Sequence, residues 1–223
     1  MSTNQLFDYY NNSYHTKRHE NLLLNDKYFW AKSKTAAKMY FSEFTDNPKI
    51  LEFGVGIGQN IASLTNVYGY DISKDALDAC RKRDIPVFET LDEIPNEEFD
   101  IVLSRHSLEH VPDPLESLVQ MRAKLKKGGT LLLILPKDNH GKAGFEPDLN
   151  NHLFTWNFRA INNLLNLAGF RPVKNQLKYT MGFNLLLPLY NIFGIGFYLL
   201  MVKIVGNVTR QNGELIVHAQ KTD

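Results

Sequence analysis

The feature that most constrains this chain is an alternation. Short, continuous apolar runs (Lys49–Phe53, Val67–Asp71, Ile85–Glu89, Phe99–Ser104 and Thr130–Leu135) take turns with segments of helical period. The spacing predicts helices over Gln59–Asn66, Lys74–Arg83, Pro114–Lys126 and Asn157–Ala168, the third with Leu115, Leu118, Met121 and Leu125 on one face. A strand that is apolar along its whole length is covered on both sides, and strands joined through helices run parallel. The expected class is therefore α/β. Arg171–Tyr179 and Glu214–Gln220 also read as strands, with no usual crossover helix between them, which fits an antiparallel edge pair.

A length of 223 residues, with 43% hydrophobic and 22% charged, supports one core and excludes a largely disordered or fibrous chain. Twenty-five Lys and Arg against 24 Asp and Glu leave a net charge of +1, so no global field draws the chain to nucleic acid or anionic lipid, and such binding must be local. No nucleic acid partner is expected. Cys80 is the single cysteine, which excludes an internal disulfide and a cysteine-rich zinc site. The first residues lack the apolar core of a secretory signal, and a cytoplasmic location is expected. Residues 1–46 are aromatic and polar and read as an N-terminal helical cap, with Tyr9, Tyr10, Tyr14 and His15 either closing over a ligand as a lid or simply packing. Residues 47–223 form the main domain.

Ile50–Asn60 (ILEFGVGIGQN) carries an apolar strand into Gly54, Gly56 and Gly58. Glycines there let the backbone turn tightly and approach a ligand, and a helix following them offers free N–H groups. A dinucleotide fingerprint would want glycine where Gln59 stands and rarely has an acid such as Glu52 before the first glycine. Asp71 ends the next apolar run. Its carboxylate can accept from both hydroxyls of a ribose, or it can cap the next helix beside Ser73.

Glu52, Gly54, Gly56, Gly58 and Asp71, followed by FDIVLSRHSLEHVPDP and LKKGGTLLLILP, resemble in order the motifs of class I S-adenosylmethionine-dependent methyltransferases. The nearest likeness is to the small-molecule branch that includes ubiquinone-biosynthesis O-methyltransferases, over about residues 48–170. The resemblance implies a Rossmann-like, mostly parallel sheet of seven strands with the last antiparallel and helices on both faces. It implies that the glycine loop lies against the methionine part of S-adenosyl-L-methionine, that Glu52 orients its amino group and that Asp71 holds the ribose. Thr90–Asp92, centred on Leu91, falls on the adenine side, and Ser104, Arg105 and His106 on the strand end facing the methyl group. Ile72 either packs on the adenine face or is a buried strand-end residue.

Methyl transfer from a sulfonium needs alignment and water exclusion more than covalent help, and a base only where the acceptor carries a proton. His106, His110, His140 and His152 are the candidates, with His106 and His152 favoured as catalytic because strand carboxyl ends and their loops form the crevice of an open α/β sheet. His106, Glu109 and His110 also form HxxEH, near the place where quinone-type relatives hold a divalent ion. Those relatives have a carboxylate where this chain has His106, and no metal is assigned. Asp113 reads as a helix cap before Pro114. The loop Lys137–Asn157 is read as acceptor pocket, with Asn139, His140, His152 and Trp156 as lining.

Phe183–Val205 has 17 apolar or aromatic residues in 23, nearly the length of a membrane span, yet it lies between two segments that should pair in one sheet. Pro188, Asn191, Gly194 and Gly196 divide it. A helical hairpin is expected, either buried, or making a homodimer contact, or in peripheral contact with a membrane. The expected function is methyl transfer from S-adenosylmethionine to an oxygen or nitrogen of a small-molecule acceptor, of which a sugar or a lipid-linked intermediate is one class. The alternatives are an NAD-dependent oxidoreductase, disfavoured by Gln59 and Glu52, and a non-catalytic membrane-docking protein with a relic cofactor pocket.

Overall fold

The computed structural model describes residues 19–44, 46–137, 152–211 and 213–222. Tyr9, Tyr10, Tyr14, His15, Asn139 and His140 lie outside the described residues. The helices are α1 (Glu20–Leu24), α2 (Asp26–Tyr40), α3 (Lys74–Arg81), α4 (Pro114–Lys124), α5 (Phe158–Leu167) and α6 (Leu187–Thr209). The strands are β1 (Ile50–Phe53), β2 (Val67–Tyr70), β3 (Val87–Phe88), β4 (Phe99–Arg105), β5 (Leu125–Pro136), β6 (Phe170–Tyr179) and β7 (Gly213–Lys221). They form a seven-stranded sheet in the order β3-β2-β1-β4-β5-β7-β6. The pairs β1–β2, β2–β3 and β4–β5 are parallel, whereas β7 is antiparallel to both β5 and β6. This is the Rossmann-like sheet that the alternation and the resemblance together imply.

Two compact units make up the chain: the part up to Pro95 with Gly182–Val202, and Asn96–Met181 with Lys203–Asp223. In the first, Ile50, Leu51, Val55, Ile57 and Ile61 are buried with Leu77 and Cys80 of α3. Leu22 and Phe29 pack with Ile57 and Ala79, so the N-terminal helices rest on the glycine loop and on α3. In the second unit, the five consecutive residues Leu131–Leu135 are all buried, as a central strand covered on both faces requires. Strand β6 instead alternates exposed and half-buried positions after Phe170 at the sheet edge.

Helices begin where local chemistry stops the backbone from being left unsatisfied. The Asp113 carboxylate accepts the Glu116 N–H at 2.9 Å with Pro114 in the first turn, Asn157 accepts from Ala160 at 3.0 Å, and Ser73 Oγ from Ala76 at 3.4 Å. Two predicted helices differ. Gln59–Asn66 makes turns rather than a helix, because the Ser63 N–H is taken by the Ser33 hydroxyl at 2.8 Å, Asn60 is drawn to Glu52, and Thr65 donates to Asn47. The helix from Pro114 ends at Lys124, and Leu125 opens β5 opposite Phe99. Of its apolar face Leu118 and Met121 are buried, and Leu115 is partly exposed.

The apolar segment folds as two helical arms within α6, broken at Gly194, where φ is 74°. Tyr179 pairs with Gly213, so the chain leaves β6 and rejoins β7 at one place, which a single membrane crossing would forbid. Tyr198 is fully buried and donates its hydroxyl to the Phe183 carbonyl at 2.7 Å, and Lys32 lies over the Phe183 ring at 3.7 Å.

Candidate active site

The loop between β1 and β2 begins with three glycines, Gly54, Gly56 and Gly58, at φ of 82°, 54° and 82°. That left-handed backbone is open to glycine at little cost, and a Cβ on Gly58 would also meet Ile85 Cδ1 at 2.4 Å. The bend is fastened to the tip of β2: Gly56 donates its N–H to Asp71 Oδ2 at 2.8 Å, and Ser73 donates to Asp71 Oδ1 at 3.0 Å. The helix cap is Ser73, not Asp71, and the aspartate serves the loop. The Cys80 thiol donates to the Gly56 carbonyl at 3.3 Å, and burial with the nearby Glu52 and Asp71 carboxylates pushes its pKa far up, so it is a neutral thiol.

Beneath the loop Glu52 is fully buried, which is costly for a carboxylate unless hydrogen bonds replace water. Asn60 supplies one, donating to Glu52 Oε1 at 2.5 Å. Ile72 follows Asp71 and is 43% exposed, so it is not a buried strand-end residue but an apolar side chain offered beside a carboxylate. Leu91 is partly exposed in a turn closed by the Ile94 N–H on its carbonyl. A carboxylate bonded to a side-chain-free bend, with an apolar face next to it and a second acid below, suits the sugar, base and amino acid of an adenosyl sulfonium.

At the tip of β4 the polar groups come from distant parts of the sequence. Ser104 is fully buried with its hydroxyl 3.2 Å from that of Ser107. Arg105 donates Nη2 to Glu214 Oε1 at 2.6 Å, so the guanidinium expected on the cofactor side is engaged by the second residue of β7. His106 has a φ of 52°, unusual for a residue with a side chain, and its Nε2 lies 3.0 Å from the same Glu214 oxygen. With Nε2–H donated to Glu214, Nδ1 becomes the basic nitrogen. Burial first, and the Arg105 charge second, hold the His106 pKa below its ordinary value against the opposing pull of Glu214, so the imidazole is neutral at neutral pH.

Glu109, fully buried, sits among three histidines. One of its oxygens is 3.8 Å from His106 Nδ1, 3.7 Å from His110 Nε2 and 4.0 Å from His152 Nε2. Its carbonyl accepts the N–H of Leu153 at 2.8 Å and of Phe154 at 3.3 Å, which fastens the segment carrying His152, and the rings of His110 and His152 lie 5.0 Å apart. Both predicted catalytic histidines thus belong to one cluster. Ligand atoms of Glu109, His110 and His152 lie within 4.8 Å of one another, a spacing that suits one shared cation. Trp156 is buried and stacks on Phe154. Sequence reasoning missed Glu214 and the central place of Glu109. The available signal for Glu214 was a lone acid opening the apolar strand LIV, which must find a cation or donor when buried.

The methyltransferase domain family matches residues 23–175. No curated protein is significantly similar in sequence. Among solved structures, a putative methyltransferase from Bacillus halodurans is 18% identical with a TM-score of 0.60, over 86% of this chain and 100% of that one. A SAM-dependent methyltransferase, possible histamine N-methyltransferase, from Thermotoga maritima is 18% identical with a TM-score of 0.62, over 93% and 99%. The Haemonchus contortus phosphoethanolamine N-methyltransferase 2, in complex with S-adenosyl-L-methionine, is 17% identical with a TM-score of 0.62, over 98% of this chain and 60% of that one. With more than half its length matched by that family, the chain belongs to the methyltransferase domain family and is a class I enzyme with S-adenosylmethionine as its methyl donor.

Proposed function

We propose that the methyl group goes to an oxygen or nitrogen of a small-molecule acceptor, with His106 as the group that takes the acceptor's proton. The observation that carries this reading is the His106 imidazole held 3.0 Å from Glu214 at the carboxyl end of β4, on a backbone with φ of 52°. Strain of this kind, about 1–3 kcal/mol, persists only where surroundings enforce it and clusters at functional sites. His106 Nδ1 would accept the proton, and Glu214 would hold the ring and stabilise the imidazolium that results, which is the general-base arrangement of a carboxylate behind a histidine. His152, which faces the same Glu109 oxygen, would position the acceptor.

The bound cofactor supplies an electrophilic methyl on a sulfonium. Of this chain's residues, Asp71 would accept from the ribose hydroxyls, Glu52 would orient the amino group, Ile72 and Leu91 would flank the adenine, and Gly54, Gly56 and Gly58 would let the backbone approach the methionine portion. Ser104 and Arg105 would shape the strand end. This reading needs no metal: turnover should survive a chelator, and loss of turnover restored by a divalent ion would instead make Glu109, His110 and His152 a metal centre. Sugars, lipid-linked intermediates, phenols and amines are the acceptor classes to screen first, by mass spectrometry of methylated product. Calorimetry tests the cradle. S-adenosylhomocysteine should bind, and Asp71→Ala should weaken it about 100-fold, since charge-assisted hydrogen bonds are worth about 1.5–3 kcal/mol each. Equal affinity of the two proteins would refute the assignment.

A further inference from the structure

The second arm of α6, after the break at Gly194, has two contrasting faces. Tyr198, Leu199, Val202 and Gly206 are buried, and Gly206 packs so closely that a Cβ there would lie 2.5 Å from the Tyr179 carbonyl. Phe197, Leu200, Ile204 and Val208, spaced three and four residues apart, form the opposite face and are exposed. In the first arm Ile192 and Phe193 are exposed as well. A helix on a protein surface normally turns polar residues outward, and this one turns a second apolar stripe outward after its inner stripe is already packed. The segment also lies beyond the region matched by the methyltransferase domain, which ends at residue 175.

We propose that this outer face of α6 docks on an anionic lipid bilayer, with the helix lying in the interface plane rather than crossing it. The pairing of Tyr179 with Gly213 returns the chain to the sheet where it left, so the kinked segment can dip into a surface but not span it. Charge selects the lipid. From Leu187 to Arg210 there is no acidic residue, while Lys203 and Arg210 both fall in that stretch of a chain whose net charge is only +1. Lys203 and Arg210 are exposed on the second arm and just after it, where long side chains can lay their stems along an apolar surface and keep their charges among phosphates. A second copy of this face is disfavoured by the same charges. A two-fold contact would bring the Lys203 and Arg210 of both copies together with no acid in α6 to answer them.

Flotation of the full chain with vesicles decides the matter. Vesicles of phosphatidylcholine with one quarter phosphatidylglycerol should carry the chain about tenfold better than phosphatidylcholine alone, and salt should erase that advantage. Phe197→Ser with Leu200→Ser should lower binding to both vesicles about tenfold, and Lys203→Glu with Arg210→Glu should remove only the preference for anionic lipid. These side chains are exposed, so melting temperature and S-adenosylhomocysteine affinity should match the parent chain. If the double serine variant unfolds, the charge-reversal variant carries the test alone. Absence of flotation with either vesicle, or equal flotation with both, would overturn the proposal. So would a dimer in sedimentation equilibrium that Phe197→Ser and Leu200→Ser dissolve while vesicles bind nothing.

Discussion

The tips of β1 and β2 and the tip of β4 are assembled in opposite ways. At the first, partners are near in sequence: Gly56 and Asp71 are 15 residues apart, and Asn60 and Glu52 are eight. Most of the work is done by backbone amides and by glycines with positive φ, so the geometry follows from a short stretch of chain. At the second, Arg105 and His106 reach Glu214 across 109 and 108 residues, and Glu109 meets a histidine from beyond β5. The difference teaches that a cofactor shared across a family can be held by local structure. The acceptor side proposed at the tip of β4, in contrast, draws on pieces that only the folded sheet brings together.

That contrast can be broken by substitution. The largest effect is expected from His106→Ala, which should cost turnover about 100- to 10,000-fold, the usual range for a general base, with cofactor affinity held within about twofold. A parallel loss of affinity would show that the two tips are not separable. Next, Glu214→Gln removes the group that raises the His106 pKa, so the imidazole should titrate at lower pH than in the parent, as NMR of the ring protons would show. Turnover should fall about tenfold through weaker orientation of the ring. The sign for stability follows from the depressed pKa. Above about pH 6.5 folded and unfolded chains are both neutral at this site, and below it the unfolded chain takes the proton first, so stability falls as pH drops. A titration above the ordinary value would contradict the account.

Two smaller effects sharpen the comparison from the local side. Gly58→Ala places a side chain at φ 82° and against Ile85, and should lower stability by about 1–3 kcal/mol in a denaturant melt. Asp113→Ala removes the cap of α4 and should cost about 1 kcal/mol, with cofactor affinity unchanged. A cost well above that would mean that the segment after β4 is less locally determined than its cap implies.

The same division governs what could be read without coordinates. The parallel strands, the caps at Asp113 and the glycine bend are written in composition and spacing, and each appears close to its expected place. The edge pair β6 and β7 and the break of the apolar segment at Gly194 are legible for the same reason. The helix expected over Gln59–Asn66 was not, because Ser33 competes for the Ser63 amide from 30 residues away, a contact invisible to periodicity. For Ile72 the sequence leaves two readings open, and only its exposure separates them. Arg105 falls on the cofactor side by resemblance, and its partner Glu214 enters only once β7 lies next to β5. His106 and His152 could be named as candidates, but their gathering around Glu109 depends on a fastening that no local pattern encodes.

A crystal structure with S-adenosylhomocysteine bound tests the central claim most directly. The account expects both ribose hydroxyls within hydrogen-bonding distance of Asp71, about 2.6–3.0 Å, with the homocysteine portion along Gly54, Gly56 and Gly58. A ribose held by other residues, with Asp71 still closed on Gly56 and turned away from the ligand, would contradict it.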